Sequence, residues 1–121
     1  MTDAEVLGHL SQLVTEIAKR GKLQMQADKR NALLRTTVIP SERVAQLLTD
    51  VTELMGPAVK PAGTTAMFKN WFDPFFKAVG GAEKQQSLFR RELTDRLSLY
   101  IAFWPWASDP ARTSVRIGIA C

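Results

Sequence analysis

The sequence predicts a mostly α protein, and three observations carry that expectation. Apolar residues recur at three- and four-residue spacing within 6–17, 44–55, 67–76 and 89–104, the repeat that puts side chains on one face of a helix. Helix start and stop signals bracket two of these stretches, Thr2 with Glu5 at the front of one and Gly56-Pro57 at the end of another. Only Ser114 to Ala120 alternates with the period of two that a strand requires. The expected architecture is a helical hairpin plus long amphipathic helices, a core drawn from the apolar stripes, and one short C-terminal β-strand paired between molecules. It divides into a helical domain over 1–104 and a C-terminal turn and strand arm over 105–121.

The first helix opens at once, because Thr2 and Glu5 have capping-box spacing and Val6, Leu10, Leu13, Val14 and Ile17 share a face. Lys19-Arg20-Gly21 closes it, with cations in the last turn and a glycine beyond. A second helix, Lys22 to Arg35, is polar for much of its length, with Leu23, Ala27, Leu33 and Leu34 as its apolar content. Pro40 lacks an N–H and biases Ile39 away from the helical region, so Thr37 to Pro40 reads as an extended joint. Ser41 then stands where it can cap a third helix running to Met55, whose stripe is Val44, Leu47, Leu48, Val51, Leu54 and Met55. The second and third helices form the hairpin, packing inward through Val44 to Met55 and offering Lys22 to Arg35 to an outside partner.

Residues 56–64 hold two prolines and two glycines and read as a loop. The aromatic centre follows: Met67, Phe68, Trp71, Phe72, Phe75 and Phe76 repeat at helical spacing, and Asp73-Pro74 supplies an N-cap and a first-turn proline between two short helices. These aromatics are expected in the core. Two functional alternatives attach to them, an amphipathic membrane-surface helix and a platform for nucleic-acid bases. Gly80-Gly81 marks a turn, and Ala82 to Phe103 reads as a long amphipathic helix with Phe89, Leu93, Leu97, Tyr100, Ile101 and Trp104 toward one face. The lone strand leaves a row of backbone groups unpaired, which another copy of the chain would satisfy. Leu33, Leu34, Val115, Ile117 and Ile119 are the expected interface residues.

Charge points to partners. The net charge of +4 is uneven: residues 19 to 43 hold Lys19, Arg20, Lys22, Lys29, Arg30, Arg35 and Arg43 against Asp28 and Glu42. Such a band suits a nucleic-acid backbone or an acidic protein surface, so these seven are the candidate nucleic-acid-binding residues. Catalytic and metal-binding patterns are missing: His9 is the single histidine and Cys121 the single cysteine, and no phosphate loop or nucleophile elbow occurs. The expectation is a non-enzyme with no cofactor and no metal. No apolar run approaches the roughly 18 residues of a membrane span, and the acidic start MTDAEVLGHL is unlike a signal peptide, so a cytoplasmic protein without membrane contact is expected.

Gln26-Ala27-Asp28-Lys29, Arg35-Thr36-Thr37-Val38-Ile39-Pro40 and Glu42-Arg43-Val44 give this stretch a helix-joint-helix pattern. It resembles the oligomerisation region of the small terminase subunits of tailed bacteriophages, over about thirty residues. The resemblance implies a ring that engages viral DNA and docks to a large motor and nuclease subunit. This sequence departs from the family in having only about twenty residues ahead of the matching stretch, too few for a helix-turn-helix domain. A homo-oligomeric, non-enzymatic DNA-packaging protein is therefore the leading expectation. Its alternatives are a small phage-encoded inhibitor or adaptor of a host protein, and an independent nucleic-acid-binding module.

Overall fold

A five-stranded antiparallel sheet, not a helical bundle, organises the chain; the computed structural model describes all 121 residues. In order the elements are α1 (Asp3–Gly21), β1 (Gln26–Ala27), β2 (Leu34–Pro40), a 3-10 turn (Ser41–Arg43), α2 (Val44–Met55), α3 (Met67–Phe72), α4 (Pro74–Ala78), β3 (Ser87–Glu92), β4 (Ser98–Pro105) and β5 (Arg112–Ala120). The strands lie in the order β1-β2-β5-β4-β3. The mostly α expectation is thus corrected to an α+β fold.

Three sequence signals hold locally. Thr2 and Glu5 form the capping box of α1, with the Thr2 hydroxyl accepting from the Glu5 N–H at 3.2 Å. The exposed Glu5 carboxyl sits below its ordinary pKa, chiefly because it accepts from the Thr2 backbone N–H. Lys22 ends α1 in the left-handed region at φ 51, one residue past the expected glycine. Asp73 caps α4 by accepting from the Phe75 N–H at 2.9 Å, with Pro74 in the first turn.

The expected second helix is instead a turn and two strands. Asp28 accepts from the N–H groups of Arg30 and Asn31, and Asn31 accepts from that of Leu33, so short polar side chains satisfy the backbone locally. Thr36-Thr37-Val38-Ile39 is an unbroken β-branched run, which favours the pleated conformation. Ser41 is not a cap: its hydroxyl lies 2.7 Å from the Pro110 carbonyl oxygen and 2.8 Å from the Thr113 hydroxyl, tying β2 to the β4–β5 connection.

The expected helix over Ala82 to Phe103 is the β3–β4 hairpin. The Thr94 hydroxyl accepts from the N–H groups of Arg96 and Leu97 and closes its turn. On β4, Leu99, Ile101 and Phe103 face one side and Tyr100, Ala102 and Trp104 the other. A strand buried on both faces lacks the polar alternation that would have announced it.

The C-terminal strand corrects the expected arm and the strand pairing between molecules. β5 lies between β2 and β4 inside one chain, with Leu34 opposite Gly118 and Ile101 opposite Ile117. Val115 and Ile117 are fully buried and Ile119 nearly so. Burial within their own core removes these residues from an interface with another molecule. Leu34 is likewise buried, and Leu33, partly buried, gives its carbonyl to the Ile119 N–H.

Helices α1 and α2 cover one sheet face, where Leu10, Ile17, Leu47 and Val51 pack on Phe89, Leu99, Ile101, Val115 and Ile117. Gly21 permits the close approach of the two helices, since a Cβ there would lie 2.6 Å from the Leu47 side chain. On the other face α4 lays Phe75 and Phe76 against Leu88, Tyr100 and Ala102. Both sheet edges are blunted: β1 has two residues, and Val59 and Lys60 bond to Leu88 along β3.

Candidate interaction surface

The segment between α2 and β3 turns one aromatic run into two surfaces of opposite character. Phe75 and Phe76 form an edge-to-face pair with centroids 5.8 Å apart, Phe75 meets Tyr100 at 6.3 Å, and Arg90 sits 4.6 Å over Phe75. Asn70 fixes the orientation of α3, its amide donating to the Ala82 carbonyl at 2.8 Å and accepting from the Ala82 N–H at 2.7 Å. With Ala66 and Asn70 turned inward, the outward side of α3 shows Met67, Phe68, Trp71 and Phe72, exposed at 65%, 78%, 69% and 72%. The expectation that the whole aromatic run lies in the core is corrected for these four residues.

Lys60 underpins this region. It is 2% exposed, and its ammonium donates to the carbonyls of Lys84 and Gln86 at 2.6 and 2.7 Å, pinning the loop ahead of β3. Burial lowers its pKa. Nothing in the sequence distinguished this lysine from the solvated ones, because its burial depends on the loop that folds over it.

The seven expected nucleic-acid-binding residues fall in two places, Lys19, Arg20, Lys22 and Arg43 at the end of α1 and Lys29, Arg30 and Arg35 about the β1–β2 connection. Arg20 bridges Glu16 and Glu53, each at 3.0 Å, and its pKa is raised mainly by the Glu16 hydrogen bond. Arg35 donates to the carbonyls of Ala32 and Leu34, and Arg43 to that of Gly21. Lys19 and Lys22 sit at the C-terminal end of α1, and Lys29 and Arg30 at the β1–β2 turn, all four exposed and outside any ion pair.

A further cationic locus was not singled out by the sequence reading. Arg116 of β5 stacks 4.5 Å over Trp104, and Arg112 lies 5.4 Å over Trp106, whose indole N–H donates to the Ser114 hydroxyl at 2.8 Å. The signal lay in period two, since Trp104-x-Trp106 and Ser114-x-Arg116 place these side chains on paired strands. The Tyr100 hydroxyl, inward of Arg116, has its pKa raised by burial and opposed in part by the Arg116 charge.

No helix is long and apolar enough to cross a membrane. No protein-family model, curated protein or solved structure matches this chain.

Proposed function

We propose that the chain is a non-enzymatic docking module, an adaptor or inhibitor that captures a partner polypeptide on the outward face of α3. The observation that carries this reading is the 65–78% exposure of Met67, Phe68, Trp71 and Phe72 on one short helix. An aromatic side chain offers about 150–250 Å², so the four residues present roughly 500 Å² of apolar surface, the size of the largest and often functional patch on a typical monomer. The anchors fall one turn apart, the pattern of a helix face seated in an apolar groove. Lys69, the one cation of α3, is exposed and lies 5.6 Å over the Phe76 ring.

Membership of a packaging ring draws less support from the fold. The helix-joint-helix correspondence falls largely on β1, the turn and β2, and the strand expected to bridge subunits is internal. A cytoplasmic setting is part of the proposal, supported by the exposed free thiol of Cys121.

The test places a photo-crosslinking phenylalanine analogue at position 68 and, as control, at the exposed Gln85. A discrete protein adduct from position 68, absent from position 85 and lost in Trp71→Ser, is the expected result. Adducts to lipid alone, or equal adducts from both positions, would overturn the reading.

A further inference from the structure

Part of the second sheet face is left open, and its chemistry differs from that of α3. Helix α4, with Ala66 and Val79 on either side of the helical pair, shelters Leu88, Tyr100 and Ala102. Thr36 and Val38 of β2, Ser114 and Arg116 of β5 and Trp104 of β4 line an open strip, bounded at the β1 edge by Gln26. Val38 is 47% exposed, unusual for a strand valine with sheet on one side. No acidic residue lines the strip.

Arg116 is the centre of this surface. The ion pairs of the chain are made by Arg20, Arg90 and Arg112, so Arg116 faces no carboxylate, and no protein acceptor takes its N–H groups. Its guanidinium is backed by the Trp104 ring, which orients it without neutralising it. The Trp104 indole N–H is itself buried without an acceptor. The same ring borders a second hollow lined by Trp71, Asn70, Lys77 and Glu83, so a second indole continues the strip across the molecule, with one lysine and one carboxylate beside it.

We infer that this strip binds single-stranded nucleic acid. A guanidinium plane backed by an indole is a stacking platform for an unpaired base, and its edge N–H groups remain directed at phosphate oxygens. The hydroxyls of Thr36 and Ser114 and the amide of Gln26 supply neutral donors and acceptors to base edges. Lys77 offers one further cation, beside Glu83, and the net charge of +4 adds a long-range attraction. The stacking platform favours unpaired bases, whose faces are free to stack on it, over a duplex, whose bases are stacked on one another. The site lies on β2, β4 and β5 and shares only Trp71 with the outward face of α3, so Arg116→Gln tests it apart from protein docking there.

Fluorescence anisotropy with labelled twelve-residue oligo(U), oligo(dT) and a hairpin duplex, at 50 to 300 mM salt, tests the inference on the full chain. Both single strands are expected to bind with affinity falling as salt rises, a difference between them reporting whether a 2′-hydroxyl is read. Arg116→Gln should weaken binding about tenfold and flatten the log–log salt slope by about 0.7. Thr36→Glu, which puts a negative charge into the strip from a half-buried surface position, should abolish it. Lys19→Gln/Lys22→Gln, at the end of α1, should stay within about twofold of the parent, with thermal melts confirming that every variant is folded. Binding of the duplex as tight as that of the single strands, an unchanged Arg116→Gln, or no binding at 50 mM salt would overturn it.

Discussion

Phe75 and Phe76 are 5% and 2% exposed, whereas Phe68 and Phe72 are 78% and 72% exposed, although only Asp73-Pro74 separates the two sets. All four are the same residue type at helical spacing. The difference lies in direction: the cap at Asp73 restarts the helix at a new angle, and Asn70 holds α3 so that its aromatics point away from the sheet. Hydrophobicity alone therefore identifies what can be buried, and backbone reorientation decides what is.

The sharpest way to break the comparison is truncation on each side of it. Phe76→Ala should cost about 3–5 kcal/mol in chemical denaturation, as for other buried aromatics. Phe72→Ala should fall within about 0.5 kcal/mol of the parent. Equal costs would mean that α3 is not presented as described.

Next in size is Gly118→Ala. A Cβ there would lie 2.8 Å from the Tyr100 hydroxyl oxygen and 2.9 Å from ring carbons, so the ring that meets Phe75 must shift. A loss of about 1–3 kcal/mol is expected, together with a change in the near-ultraviolet aromatic circular dichroism. Asn70→Ala should cost a comparable 1–3 kcal/mol by leaving both backbone groups of Ala82 unpaired. Its distinguishing mark is faster hydrogen exchange at the Ala82 amide, with the protection of β5 unchanged.

The smallest effect is pH-dependent. Burial lowers the Lys60 pKa below its ordinary value of 10.5 in the folded state, so the unfolded chain binds more protons as pH approaches that value from below. Lys60 thus makes the protein more stable as pH rises from its lowered folded pKa toward 10.5. Tyr100 acts in the opposite sense: its folded pKa is raised above 10.0, and its contribution is present below that pH and lost as pH rises through the folded pKa. Thermal midpoints from pH 8 to 11 should therefore rise less in Lys60→Met than in the parent before both decline. Parallel curves would show that Lys60 does not titrate with folding.

What the sequence made legible was what is decided within a few residues. The Thr2–Glu5 box, the break at Gly56-Pro57 and the cap at Asp73 each depend on neighbouring groups alone, and each is in place. Leu99 to Trp104 was illegible as a strand because both its faces are buried, which left helical spacing as the apparent signal. The β2 strand was hidden by its charged approach, Asp28 to Arg30, whose side chain–backbone bonds form a turn. Of the interaction surfaces, the aromatic residues could be named from the sequence but not their exposure. The Arg116–Trp104 stack required the register of β4 against β5, which no local pattern specifies.

That register has a kinetic consequence. Within the sheet β5 alone joins β1-β2 to β4-β3, and its pairing with β2 sets Leu34 opposite Gly118, two residues remote in sequence. Until it docks, the two hairpins have no shared sheet, and the stripes of α1 and α2 have only part of a surface to cover. Folding must therefore wait for a long-range closure, the regime in which two-state domains are slow. It also means that β3-β4-β5 can form as a local meander, since only residues 106–111 link β4 to β5, whereas the β1-β2 hairpin has no edge to join until β5 is laid down: the last strand is a keystone between a local unit and a remote one.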